Sequence, residues 1–191
     1  YFEIRWRDAD NLRIYEELGG GTGFELITNR LFRDPSAWYH VVVAIDTTQV
    51  TAANRIKLYV NGVQETSFAT STYPAVNYNV QMNVASKVVS IGAYQYAGSN
   101  YYNGSMAMLE WVDGQQYGPE YFGSTDSNTG IWTPSGATAI SDYGTNGFKL
   151  AMDTTTPGAD TSGKGNNFTV GGGTPTLTQG NPQNNWCTLN P

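Results

Sequence analysis

The chain has 191 residues, of which 14% are charged and 13% aromatic, with 22 glycines and a formal net charge of −6. That length suits one sizeable all-β domain, or one domain with an extension. A surface made polar by amides and hydroxyls, acidic overall and without clustered Lys or Arg, excludes nucleic acid as a favoured partner. No run approaches the ~18 apolar residues of a membrane helix, so no membrane insertion is expected. Cys187 is the only cysteine and forms no intrachain disulfide.

Phe2, Ile4 and Trp6 alternate with Glu3, Arg5 and Arg7, as though the chain opens inside a strand. The expectation is a piece, or the ordered part, of something longer. Residues 1–7 and 11–17 read as a hairpin turning through Asp8-Ala9-Asp10-Asn11, with Leu12 and Ile14 inward. Three glycines at 19–21 break it. Residues 22–28 resume as a strand with Phe24 and Leu26 on one face, and Asp34-Pro35-Ser36 is a turn.

Residues 38–46 form the most apolar stretch. Tyr39, Val41, Val43 and Ile45 fall on one side and Trp38, His40, Val42 and Ala44 on the other, which predicts a central strand of a packed sandwich. Residues 55–60 alternate cleanly, with Ile56, Leu58 and Val60 inward. Asn61-Gly62 then supplies the positive φ angles of a type I′ turn. The arm after it is expected to be bulged or at an edge, because a two-residue turn sets Glu65 opposite Leu58. Residues 70–86 read as a long loop or a short strand around 80–84. Strands are predicted over 88–96, with Val89, Ile91 and Ala93 inward, and over 104–113, with Ala107, Leu109 and Trp111 on one face. Pro119 and Gly123 bracket one helical turn. The predicted core is Val41, Val43, Ile45, Ile56, Leu58, Val60, Ile91, Ala107, Leu109 and Trp111.

Trp38-Tyr39-His40-Val41 followed by Leu58-Tyr59-Val60-Asn61-Gly62 resembles the concanavalin A-like lectin/glucanase (laminin G-like) superfamily. Ile91-Gly92-Ala93 and Tyr102-Asn103-Gly104-Ser105, leading into residues 106–113, extend the likeness. The resemblance implies an all-β, antiparallel jelly-roll sandwich over residues 1–123, lacking N-terminal strands. It says little about activity, since one such fold hosts lectins, glycosidases, adhesion modules and virion proteins.

After residue 123 the composition shifts to Gly, Thr, Ser, Asn and Asp, with anchors at Ile131, Trp132, Phe148, Leu150, Met152, Phe168 and Trp186. Residues 148–153 alternate like a short strand. Residues 124–191 are therefore expected to be an irregular extension lying on the sandwich or on a neighbouring subunit. Gly130-Ile131-Trp132-Thr133-Pro134 and Tyr143-Gly144-Thr145-Asn146-Gly147-Phe148 resemble an extension found in bacteriophage virion proteins, as do residues 160–168 and 184–191.

A glucanase on this scaffold needs two carboxylates flanking the scissile bond, placed in the family as E-x-D-x-E on one strand face. No such triplet occurs, and Glu110 and Asp113 would point to opposite faces. His40, the sole histidine, lies in the most apolar strand and reads as a satisfied core residue rather than a base. The run of glycines at 19–23 contains no Lys and opens no helix, so it is a turn and not a phosphate loop. Asp8-Ala9-Asp10-Asn11 offers alternating oxygen ligands, but lacks the rest of a calcium loop and reads as Asx-turn chemistry. No metal and no cofactor is expected.

Residues 94–103 are the most suggestive surface stretch. Aromatic faces stack on the C–H side of sugars while amides and hydroxyls satisfy their OH groups, and Tyr94, Tyr96, Asn100, Tyr101 and Tyr102 offer both. The same composition fits a protein interface or a free surface equally well. The expectation is a non-enzymatic virion module, a capsid decoration or a tail-associated adhesion element, with other virion subunits or a second copy as partners and a host surface glycan as a further one. The rivals are a secreted carbohydrate-binding module and a glycoside hydrolase-related domain.

Overall fold

The computed structural model describes residues 1–84, 87–93, 101–135, 140–152, 155–171 and 176. The fold is all-β. Among the described residues the regular structure is antiparallel strands joined by turns and three single-turn 3-10 helices. The chain forms two compact units, each assembled from separate stretches. The first comprises Tyr1–Arg33, Thr47–Ile56 and Ser67–Ser105, and the second Asp34–Asp46, Lys57–Thr66 and Met106–Pro191.

The first unit is built on one sheet of four strands, β1 (Phe2–Trp6), β2 (Asn11–Leu18), β3 (Gly21–Leu31) and β7 (Phe68–Thr72), in the order β1-β2-β3-β7. The expected hairpin is present, pairing Phe2 with Glu16 and Trp6 with Leu12. Leu12, Ile14, Phe24 and Leu26 are fully buried, as their alternation predicts. At about 25 cal/mol per Å² of apolar area, such side chains supply the main drive for this sheet to fold. Glu16 shares their face and is also fully buried. It accepts the Tyr78 hydroxyl at 2.5 Å and the Gln81 amide at 2.8 Å, and both partners lie after β7, where the sequence allows either a loop or a short strand. A 3-10 turn, Gln81–Asn83, occupies that place.

β4 (Val41–Ile45), β5 (Ile56–Val60) and β6 (Val63–Glu65) form a three-stranded sheet in that order, which belongs to the second unit except for Ile56. Asn61 and Gly62 have φ of 49° and 77°, the predicted type I′ pair. Leu58 lies opposite Glu65 and Val60 opposite Val63, so β6 is unbulged, and among the described residues it is an edge; Glu65 is buried. Ile56, Leu58 and Val60 are buried as expected.

Four expectations need correction. β4 begins at Val41 rather than residue 38 and is an end strand, not a central one, among the described residues. Its deeper face carries Val42 and Ala44, while Val41, Val43 and Ile45 are only half-buried. Both faces are apolar, so periodicity could not tell which one packs. Residues 88–93 hold no strand, only an Ala93–Tyr101 bridge, and Val88 is exposed; residues 94–96 lie outside the described set. The strand expected over 104–113 shrinks to β8 (Leu109–Trp111), because Met108 takes a φ of 51°, outside the extended region. Ile91, Ala107, Leu109 and Trp111 are half-buried rather than core.

Pro119–Tyr121 is the expected helical turn, of 3-10 type. It leads into β9 (Gly123–Thr125), which pairs with β10 (Trp132–Pro134), and β8 pairs with β11 (Phe148–Leu150). Strands on both sides of residue 123 thus share ladders. Phe148 and Leu150 are buried and Phe148 meets Phe168 edge-on at 4.8 Å.

Candidate functional site

Aromatic side chains gather at one end of the sheet in the first unit. Trp6 closes β1, and Phe32 follows β3. Their rings lie 5.9 Å apart and nearly perpendicular, with Tyr102 6.3 Å from Trp6. The turn between β1 and β2 locks this end. Asp10 adopts a φ of 62°, its carbonyl accepts the Phe32 amide at 2.7 Å, and its carboxylate meets Arg33 at 3.1 Å. Arg7 reaches the Asn11 side chain at 3.4 Å. The oxygens that suggest calcium in the sequence therefore hold the hairpin end, and no group of three or more His, Cys, Asp or Glu stands close enough for a metal among the described residues.

Tyr102 is placed by its own backbone: its amide donates to the Gly92 carbonyl at 2.8 Å, beside the Ala93–Tyr101 bridge. The chain then folds back so closely that a Cβ at Gly104 would stand 2.6 Å from the Tyr102 hydroxyl oxygen, so a side chain there would push the ring from its place. Burial pushes the Tyr102 phenol up. Trp6, Tyr101 and Tyr102 are respectively 37%, 62% and 44% exposed. Such a surface offers flat apolar faces for C–H groups and, on Tyr101 and Tyr102, hydroxyl groups for hydrogen bonds, which is chemistry a sugar ring can use.

Of the site residues expected from sequence, Tyr101 and Tyr102 fall in this region, while Tyr94, Tyr96 and Asn100 lie outside the described residues. Trp6 and Phe32 were not anticipated as site residues. They are 26 positions apart, and only the β1-β2-β3 register brings them together.

Glu3, Glu25, Glu110 and Asp113 are each engaged by donors of their own. Arg13 sits between Glu3 and Glu25, at 2.9 Å and 2.6 Å, and lies over the Tyr15 ring at 3.7 Å, so its guanidinium fills the gap between the two acids. In the second unit Glu110 accepts the Tyr143 hydroxyl at 2.6 Å and faces Lys149 at 3.6 Å. Desolvation of Tyr143, reinforced by the Glu110 hydrogen bond and charge, holds that phenol well above its usual range. Asp113 accepts two donors from Asn146. His40 is held as a packed residue. Its Nδ1 accepts the Trp132 indole N–H at 3.1 Å, its amide donates to the Asn61 side chain and its carbonyl accepts the Asn61 amide. Burial lowers its pKa, against a weaker upward pull from Glu110.

A family model described as the concanavalin A-like lectin/glucanases superfamily matches residues 1–116. No curated protein and no solved structure matches the chain.

Proposed function

The chain belongs to the concanavalin A-like lectin/glucanases superfamily, and from that premise we propose that it is a non-catalytic glycan-recognition module of a virion protein, serving as a capsid decoration or a tail-associated adhesion element. The cluster of exposed Trp6 and Tyr102 with half-buried Phe32, and Tyr101 beside it in the chain, carries this reading. Sugar rings would stack on Trp6 and Tyr102, with the tyrosine hydroxyls donating to or accepting from their hydroxyl groups. The absence of catalysis is supported by the state of the acids, since Glu3, Glu25, Glu110 and Asp113 are each held by a named donor. The virion setting is supported by the likeness of residues 130–134, 143–148 and 160–168 to the extension of phage virion proteins.

The test is titration with bacterial surface polysaccharides and their oligosaccharides, followed by calorimetry and reducing-end assay. Binding without release of reducing ends is expected. Trp6→Ala and Tyr102→Ala should each weaken binding about tenfold, the scale of losing one stacked ring. No binding to any such glycan, or binding untouched by both substitutions, would overturn the reading. Antibody labelling of particles checks the virion setting.

A further inference from the structure

The sequence holds three Asn-Gly pairs, at 61–62, 103–104 and 146–147. Asparagine before glycine is chemically labile, because without a Cβ on the following residue nothing hinders its backbone nitrogen from reaching the carbonyl carbon of the asparagine side chain. All three asparagines are exposed, so contact with water does not separate them. Their hydrogen bonds do. Asn61 accepts the His40 amide on its Oδ1 at 2.8 Å and donates its own amide to the His40 carbonyl at 2.8 Å, with the Trp132 ring packed where a Gly62 Cβ would stand. Asn146 donates to Asp113 through its amide and its side-chain Nδ2, at 3.1 Å and 2.9 Å, and Gly147 after it is buried. Among the described residues the Asn103 side chain has no such partner and the Gly104 amide donates to no backbone carbonyl, while both residues are exposed.

We infer that Asn103-Gly104 is a self-modifying site, at which the folded chain deamidates with water as the only co-reactant. The Gly104 nitrogen gives up its proton and attacks Cγ of Asn103; a C–N bond forms, the bond from Cγ to Nδ2 breaks, and Nδ2 leaves as ammonia with that proton. A succinimide results. One water then opens it on either side: cleavage of the new bond to Cγ leaves aspartate, while cleavage of the original peptide bond leaves isoaspartate, whose main chain runs through the former side chain. Isoaspartate is the consequential product, since it alone lengthens the main chain, by one methylene. The Tyr102 hydroxyl donates to the Ser105 carbonyl at 3.4 Å and its ring lies where a Gly104 Cβ would stand, so a longer main chain between 103 and 104 draws both supports from the ring. The contact with Trp6, at 6.3 Å, then loosens. Where those two rings bind a glycan, affinity decays as the protein ages; that last step alone rests on the proposed function.

The test is to age the folded protein at mildly alkaline pH beside a sample unfolded in guanidinium, following each Asn-Gly peptide by mass spectrometry and by enzymatic methylation of isoaspartate. In guanidinium the three sites should convert at similar rates, since the reacting pair is the same. In the folded chain Asn103 should keep close to its unfolded rate, while Asn61 and Asn146 lag by about tenfold or more, the protection that two hydrogen bonds confer. The Trp6 indole N–H resonance should shift in step with isoaspartate at 103. Asn103→Gln, in which closure needs a larger ring, should stay folded and suppress both changes. Conversion at Asn103 as slow as at the other two sites, isoaspartate at 103 with the Trp6 signal unmoved, or a Trp6 shift that persists in Asn103→Gln would overturn the inference. Glycan affinity is titrated on the same aged samples: if no glycan binds even the fresh protein, the proposed function fails while the modification stands or falls on the mass and resonance data.

Discussion

In the first unit four strands pair in one antiparallel sheet, whose fully buried side chains include Leu12, Ile14, Phe24 and Leu26. In the second, no sheet among the described residues exceeds three strands, and carboxylates folded onto backbone amides take over much of the work. Asp160 accepts the amides of Lys149, Ser162 and Asn166 and the Ser162 hydroxyl, while Asn166 donates to the carbonyls of Thr145 and Gly147. Asp126 gathers the Asn128 and Thr129 amides in the same manner. The charges divide accordingly. The first unit has seven Lys and Arg against six Asp and Glu, the second three against ten. With few cations available, acids in the second unit find their partners in N–H groups, which lets an irregular chain hold a definite course without a long ladder.

The largest expected effect lies in the first unit. Phe24 is fully buried between Phe2 and Tyr78, so Phe24→Ala should cost about 3–5 kcal/mol in urea unfolding. A loss below about 1 kcal/mol would mean that burial in this sheet is not what holds the unit together. Asp160→Ala comes next: it strips four donors of a charged acceptor and should cost about 1.5–3 kcal/mol. Hydrogen exchange should then show loosened amides around residues 147–167 while Leu12, Ile14 and Phe24 keep their protection. Equal loosening in both units would erase the distinction drawn between them.

Asp160 also predicts a pH response. Burial raises its pKa, but the hydrogen bonds from Lys149, Ser162 and Asn166 together outweigh it and hold the carboxyl below its usual range. Its folded pKa is depressed, so its stabilisation is present above the unfolded value of about 3.9 and is lost as pH falls through the folded value. Acid titration of wild type and Asp160→Asn should converge at low pH.

Gly62→Ala sharpens the comparison at a turn. The φ of 77° and the Trp132 ring pressed on this glycine leave no room for a Cβ, so a loss of about 1–2 kcal/mol with altered tryptophan fluorescence is expected. The smallest effect concerns His40. Its folded pKa is lowered by burial, so the unfolded chain binds the proton more readily and stability falls as pH drops below about 6.5. Protonation would also turn the Nδ1 acceptor into a donor facing the Trp132 N–H. Melting temperature should decline slightly between about pH 7.5 and 5.5, and a flat profile would show that His40 titrates as a free side chain.

Much of the strand pattern was legible in the sequence. The β1–β2 hairpin, the Phe24 and Leu26 face, the Ile56-Leu58-Val60 face and the Asn61-Gly62 turn all follow from period-two alternation and from the φ that a tight turn demands. These are local properties, carried by neighbours a few residues apart. Where both faces of a segment are apolar, as at 41–45, alternation carries no sign, and packing alone decided that Val42 and Ala44 go deeper. Met108 at a φ of 51° broke a strand whose composition gave no warning. The aromatic site was half legible: Tyr101 and Tyr102 stood out by composition, but Trp6 and Phe32 joined Tyr102 only through strand register and loop closure. Register depends on which residues meet across tens of positions, and local chain chemistry does not encode that meeting; burial of the whole sheet selects it.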